Sequence, residues 1–200
     1  TTTINHDLVV DKDLTVGTTS GDVVTLNGTV DVALADLSIR GGNADPMRVG
    51  RGIGEVNTNT ALGCRAINSA SSGSQNTAVG FETLFTTNTG ASNTAIGNRA
   101  LRANGIGTKN VAVGSDAQLV ALSGEKNVSV GNNTLESNST GNANVCIGHY
   151  AGYGVVGSGN VLIGPADDEN STNATYNVIG SRQLVIGSGT EAWIRGDSAF

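Results

Sequence analysis

Aromatic rings are scarce in this 200-residue chain, at 4% of the residues, so a core built around large rings is excluded. Charge is scarce too: Asp, Glu, Lys and Arg make up 14%, against about 25% in an average globular domain. What charge there is sums to −6, with a pI near 4.7. Nucleic acid requires a basic stripe, so no nucleic-acid partner is expected. No run approaches the ~18 apolar residues of a membrane span, and no membrane insertion is expected. The opening TTTINHDLVV has neither the basic start nor the apolar stretch of a signal peptide.

The residues of catalysis and metal binding are few. His6 lies near the start and His149 follows a glycine of the repeat described below, so no nucleophile, base and orienting acid converge in sequence. No Cys/His spacing matches a zinc site. Gly50-Arg51-Gly52-Ile53-Gly54 is a fragment of a phosphate-cradling fingerprint, but no helical pattern follows it. Asp167-Asp168-Glu169 lacks EF-hand spacing and reads as a solvated turn. Arg195-Gly196-Asp197-Ser198 spells an integrin-recognition motif, and a glycine between charged residues suits a turn equally well. The chain is expected to be no enzyme and to carry no cofactor and no metal.

What is abundant is glycine, 29 residues, together with Asn, Ser and Thr, the composition of a chain that turns often. The phrase Asn-Thr-Ala-Val-Gly at 76–80 returns 17 residues later as Asn-Thr-Ala-Ile-Gly at 93–97. It begins at Asn59, Asn76, Asn93, Asn110, Asn127 and Asn144 at a constant spacing of 17, and at Asn160 after 16. A shortened Asn177-Val178-Ile179-Gly180 puts its glycine 16 residues beyond Gly164. A period this constant is the signature of stacked coils, and aliphatics at fixed positions are not a feature of disordered chains.

Each phrase closes on a glycine: Gly63, Gly80, Gly97, Gly114, Gly131, Gly148 and Gly164. The residues one before it (Leu62, Val79, Ile96, Val113, Val130, Ile147, Ile163) and three before it (Thr60, Thr77, Thr94, then Val111 onward) share one face of a strand. Between them runs a small column of Ala, Ser and Cys, interrupted by Leu162. The aliphatic face is expected to point inward, and the small face outward, where another chain comes close. A second apolar column, Ile67, Leu84, Leu101 and Leu135, stands four residues past the glycine and is broken by Gln118, Gly152 and Asp168. Each coil therefore reads as strand, glycine corner, second short strand and glycine-containing turn. The asparagines suit the turn, and stacked Asn ladders are expected between coils.

Cys64 and Cys146 lie five repeats apart. At ~4.8 Å per coil that is about 24 Å, beyond the ~7 Å of a disulfide. Cys146 takes the slot of Ala78, Ala95 and Ala112 and reads as a small packing residue. So few aliphatics per coil are a thin return against the entropy of ordering 17 residues, so association of several chains is expected.

The series Asn-Thr-Ala-Val/Ile-Gly, followed by an Ala/Thr-Leu pair, resembles the head repeats of trimeric autotransporter adhesins, a repeat type that also occurs in bacteriophage fibres. The resemblance covers about residues 57–164. It implies a left-handed parallel β-roll and a homotrimer. The 17-residue spacing departs from the commoner adhesin spacing of about 14.

The ends follow other rules. In residues 1–45, LVVDKD (8–13) is echoed by LTVGTT (14–19), alternation continues, and Asn27-Gly28 is a hairpin signal. Such stretches resemble phage tail-fibre shafts. The organisation expected is thus an all-β chain with a shaft or attachment segment at 1–45, a joint at 46–56, the β-roll at 57–164 and a cap or tip at 165–200. The last segment holds the only Trp. A solenoid needs an atypical terminus to hide its last core face, so Trp193 reads either as a cap or, with Arg195, as a receptor contact. The function expected is a non-enzymatic virion fibre, located on the particle. Its partners would be two further copies of itself, other virion proteins through the N-terminal segment, and a host surface glycan or protein. The alternative is the head of a bacterial surface adhesin. An ice-binding solenoid would want a Thr column in every coil, whereas Thr60, Thr77 and Thr94 give way to Val.

Overall fold

The computed structural model describes residues 37–39, 47–51, 56, 58–70, 72–87, 89–138, 140–155, 157–166, 180–188 and 191–196. All belong to the compact unit Leu34–Phe200. Most of the shaft segment, including His6 and Asn27-Gly28, therefore lies outside the described residues. So do Gly52, Gly54, the acidic turn 167–169 and Asp197.

Among the described residues there is no helix. The strands are β1 (Leu37–Ile39), β2 (Met47–Gly50), β3 (Thr60–Cys64), β4 (Ser69–Ala70), β5 (Thr77–Val79), β6 (Thr86–Thr87) and β7 (Thr94–Ile96). They continue with β8 (Ala103–Asn104), β9 (Val111–Val113), β10 (Val128–Val130), β11 (Val145–Ile147), β12 (Val161–Ile163), β13 (Leu184–Ser188) and β14 (Glu191–Gly196). The phrase strands stack in parallel, one coil per rung: Thr60 pairs with Thr77, Thr77 with Thr94, Thr94 with Val111, and so on to Val145 with Val161. Antiparallel β1–β2 flanks this stack at β3, and antiparallel β14 flanks it at β13, giving an eleven-stranded sheet. The short β4, β6 and β8 form a second, parallel sheet. In its described residues the unit Leu34–Phe200 is a β-solenoid of coils about 17 residues long. Met47–Gly50, in the segment read as a joint, is itself a strand of the long sheet, paired with β3.

One expectation is reversed. The small column faces inward: Ala78, Ala95, Ala112, Ser129, Cys146 and Leu162 have no exposed surface. The neighbouring aliphatics face outward, with Leu62, Ile96 and Ile147 at 38–40% exposure. The reason is volume. The opposite wall already brings Ile67, Leu84, Leu101 and Leu135 into the interior, all fully buried. A coil this short encloses one large side chain per layer, so the strand across from it must present a small one. Period two then turns the flanking aliphatics out.

The exceptions to each column compensate one another across the interior. Where the leucine column drops to Gly152, Cys146 replaces alanine. A Cβ added at Gly152 would meet Cys146 Sγ, Leu135 Cδ2 and Val155 Cγ2, the last two at 3.1 Å. In the next coil Leu162 fills the alanine slot. Gln118 is different: it is fully buried between Leu101 and Leu135, and neither its amide oxygen nor its amide nitrogen has a hydrogen-bond partner.

A second correction concerns the last rung. Val161, Leu162 and Ile163 pair with Leu184, Val185 and Ile186, so the final phrase is Gln183-Leu184-Val185-Ile186-Gly187 rather than Asn177 to Gly180. Gln183 takes the asparagine place, its N–H donating to Asn160 Oδ1 at 2.9 Å. Gly180 is a turn glycine, its carbonyl accepting from Asn160 Nδ2 at 3.0 Å. Asn177 to Ile179 lie outside the described residues, and the copy that pairs with β12 stands downstream with Gln in place of Asn.

Candidate interaction surface

The corner of each coil is built from left-handed backbone. Gly63, Gly80, Gly97, Gly114, Gly131, Gly148 and Gly164 all have φ between 126° and 139°. A Cβ at Gly97 would collide with the carbonyl oxygen of Gly114 one coil on, and each corner glycine from Gly63 to Gly148 meets its successor in the same way. The glycines thus permit both an unusual φ and the closest approach of successive coils. Two and four residues further on, bulky side chains also adopt positive φ, as Arg99 (55°) and Leu101 (49°) do. This is how Leu101 is turned back into the interior.

The asparagines lie on the turn and are buried, from Asn59 through Asn76, Asn93, Asn110, Asn127 and Asn144 to Asn160. Each Oδ1 accepts the backbone N–H of the next asparagine, as in Asn110 N–H to Asn93 Oδ1 at 2.9 Å and Asn127 N–H to Asn110 Oδ1 at 2.9 Å. Each Nδ2 donates to the turn-glycine carbonyl of the next coil, as Asn110 does to Gly124 at 2.7 Å. Both ends of the amide are consumed within the stack, which leaves this column no free group to offer a ligand.

The residues available to a partner lie outside. Leu62, Val79, Ile96, Val113, Val130, Ile147, Ile163 and Ile186 form one unbroken file along the long sheet, flanked by the Thr60-to-Leu184 file. Val49 stands opposite Leu62 at one end, and Ile194 stands opposite Ile186 at the other. Both are exposed. Across the ten strands from β2 to β14, at ~4.8 Å each step, the stripe runs about 43 Å. Soluble monomers seldom leave so long a contiguous apolar surface to water.

At the corner, one column alternates in charge: Arg65, Glu82, Arg99, Asp116. Arg65 pairs with Glu82, Arg102 Nε reaches Glu82 at 2.7 Å, and Arg99 Nη2 reaches Asp116 at 2.7 Å. The Phe85 ring lies under both Arg65 (4.5 Å) and Arg102 (5.2 Å). The hydrogen bond from Arg102 holds the Glu82 carboxyl below its ordinary range, against an upward pull from burial. The bond to Asp116 raises Arg99. This ladder was legible in sequence as opposite charges 17 apart, and reading only apolar columns missed it.

Trp193 is 71% exposed. Gly187 pairs with Ala192 and Ile186 with Ile194, so Trp193 is the extra residue of a β-bulge, the irregularity that re-aims a side chain out of a ladder. Arg195, opposite Val185, is exposed beside it. Neither cysteine is in a disulfide, and burial pushes the Cys146 thiol far up. Among the described residues, no group of three or more His, Cys, Asp or Glu could hold a metal ion. Comparison of the chain with family models, curated proteins and solved structures found no match.

Proposed function

We propose that this chain is a homotrimeric, non-enzymatic β-fibre of a bacteriophage virion, with residues 57–164 as a rigid left-handed spacer. The single observation that carries the reading is the outward aliphatic stripe. It repeats at every coil, so only a surface with the same rise per repeat can match it along its whole length, and a second and third copy of this chain supply that surface. The contact is through the aliphatic file, since the small column lies inside. The resemblance of the phrase to adhesin and fibre repeats supports three copies rather than two. The resemblance of residues 1–45 to fibre shafts supports a virion and attachment to the particle through that end. Exposed Trp193 and Arg195 at the other end suit contact with a host glycan or protein, since rings and guanidinium groups carry much of the energy of small contact patches.

Mass photometry of the full chain should give about three times 20.1 kDa, and Val113→Asp with Val130→Asp should leave folded monomers. A parent that is a folded monomer at micromolar concentration refutes the trimer. In phage, deletion of residues 1–45 should abolish incorporation, and Trp193→Ala with Arg195→Ala should slow adsorption at normal fibre occupancy. Outer-membrane export genes beside this one, in place of capsid and tail genes, would transfer the reading to an adhesin head.

A further inference from the structure

Two outward columns precede the buried asparagines. One runs Gln75, Ser92, Lys109, Lys126, Ala143, Gly159, Arg182, and the other Ser74, Ala91, Thr108, Glu125, Asn142, Ser158, Ser181. Backbone bonds tie them together coil by coil, as from Lys126 N–H to the Thr108 carbonyl and from Arg182 N–H to the Ser158 carbonyl, both at 2.9 Å. Long side chains occupy the first column at Lys109 and Lys126, stop at Ala143 and Gly159, and resume at Arg182. The gap is an open notch of about 440 Å³ lined by Asn142, Ala143, Ser158, Gly159, Ser181 and Arg182.

The polar lining of this notch is held in place by the stack. Asn142 Oδ1 accepts from Glu125 N–H at 2.7 Å, Ser158 Oγ from Asn142 N–H at 2.9 Å, and Ser181 Oγ from Ser158 N–H at 3.0 Å. Each side-chain oxygen is engaged by the stack's own backbone. What remains to offer a ligand is the amide hydrogens of Asn142, two hydroxyl hydrogens and the guanidinium of Arg182 as donors, with one further lone pair on each of the three oxygens as acceptor. The floor, Ala143 and Gly159, carries nothing beyond a Cβ and is flat. No large apolar side chain lines the notch, so nothing there would hold a peptide's apolar residue. An open polar notch whose hydroxyls and amide both donate and accept, and whose one charged group is a guanidinium, matches a ligand rich in hydroxyls and bearing one negative charge.

We propose that this notch binds a carboxylate-bearing sugar residue, its carboxylate on Arg182 and its hydroxyls on Asn142, Ser158 and Ser181. Arginine suits the role because its planar fork meets a carboxylate with two parallel hydrogen bonds. The sugar can be a uronate or a sialate, which share this chemistry. The inference is independent of the fibre reading, because one chain carries the whole notch.

The test is isothermal titration of the full chain with tri-galacturonate and with 3′-sialyllactose, beside their neutral counterparts, the galacturonate methyl ester and lactose. Sodium sulfate and hexaglutamate serve as competitors. At least one acidic sugar should bind at least about tenfold better than its neutral counterpart, and Arg182→Ala should weaken it about tenfold or more. A second variant, Ala143→Gln with Gly159→Ser, fills the notch with residues already present at Gln75 and Ser92. Those two have φ of 58° and 59°, against 54° at Ala143 and 73° at Gly159. A Cβ at Gly159 meets nothing closer than Arg182 Cγ at 3.5 Å, so this variant should melt like the parent and bind neither sugar. The proposal is overturned if neither acidic sugar binds at about 10 mM, an affinity below which no specific site is at issue. It is equally overturned if the neutral sugars bind as well, if the filled variant still binds, or if sulfate or hexaglutamate displaces the sugar at equal concentration.

Discussion

Gln118 is an interior position where the chain works against its own fold, both ends of its amide being unpartnered, and replacing it with leucine should stabilise the protein. The position belongs to the column of Ile67, Leu84, Leu101 and Leu135, and its φ of 50° matches the 48–50° of those leucines, so the exchange needs no backbone change. The side chain is fully buried, and both its amide groups lack partners. Each orphan costs about 1–3 kcal/mol, and taking the lower part of that range for both gives a gain of about 2–4 kcal/mol per chain. For a chain of this size each kcal/mol moves the midpoint by about 2–4 °C, so Gln118→Leu should raise Tm by about 4–16 °C. The assay is thermal unfolding followed by circular dichroism, with parent and variant at one concentration. The reverse exchange, Leu101→Gln, should lower Tm by a similar amount. An unchanged or lowered Tm for Gln118→Leu would refute the assignment of this column to a dry interior.

Gly97→Ala would place a methyl group against the Gly114 carbonyl and require φ near 138° of a residue with a Cβ, so it should prevent assembly of the stack; soluble chain with parent-like circular dichroism would contradict this. Asn110→Ala leaves the Asn127 N–H and the Gly124 carbonyl unpaired in buried surroundings, and should cost about 2–5 kcal/mol in denaturant unfolding. The folded-state pKa of Glu82 lies below the ordinary 4.5, so its contribution is present above the unfolded value and is lost as pH falls through the folded one. Glu82→Gln should therefore be less stable than the parent at pH 7, with the gap closing under acid below about pH 4; a constant gap would count against the Arg102–Glu82 pair.

The 17-residue period, the parallel stacking it implies, the corner glycines and the asparagine turn were all readable in the letters, because each rests on backbone chemistry that few residues can supply. Left-handed φ with no room for a Cβ demands glycine at 63, 80 and 97. An amide that must both donate and accept along a ladder demands asparagine at 76, 93 and 110. Which face of the strand looks inward was not readable. Alternation shows that Ala112 and Val113 point to opposite sides, but it assigns neither side to the core. Hydrophobicity alone would bury Val113. Only the tertiary structure shows that Leu101 and its column already occupy the interior from the opposite wall. That leaves room there for a small side chain wherever the leucine column is filled, and it turns the valines and isoleucines out. The last rung was hidden for a related reason: Val178-Ile179-Gly180 and Val185-Ile186-Gly187 are equal as strings. What distinguishes them is that the Gln183 N–H reaches Asn160 Oδ1, a bond that exists only once the coils are stacked.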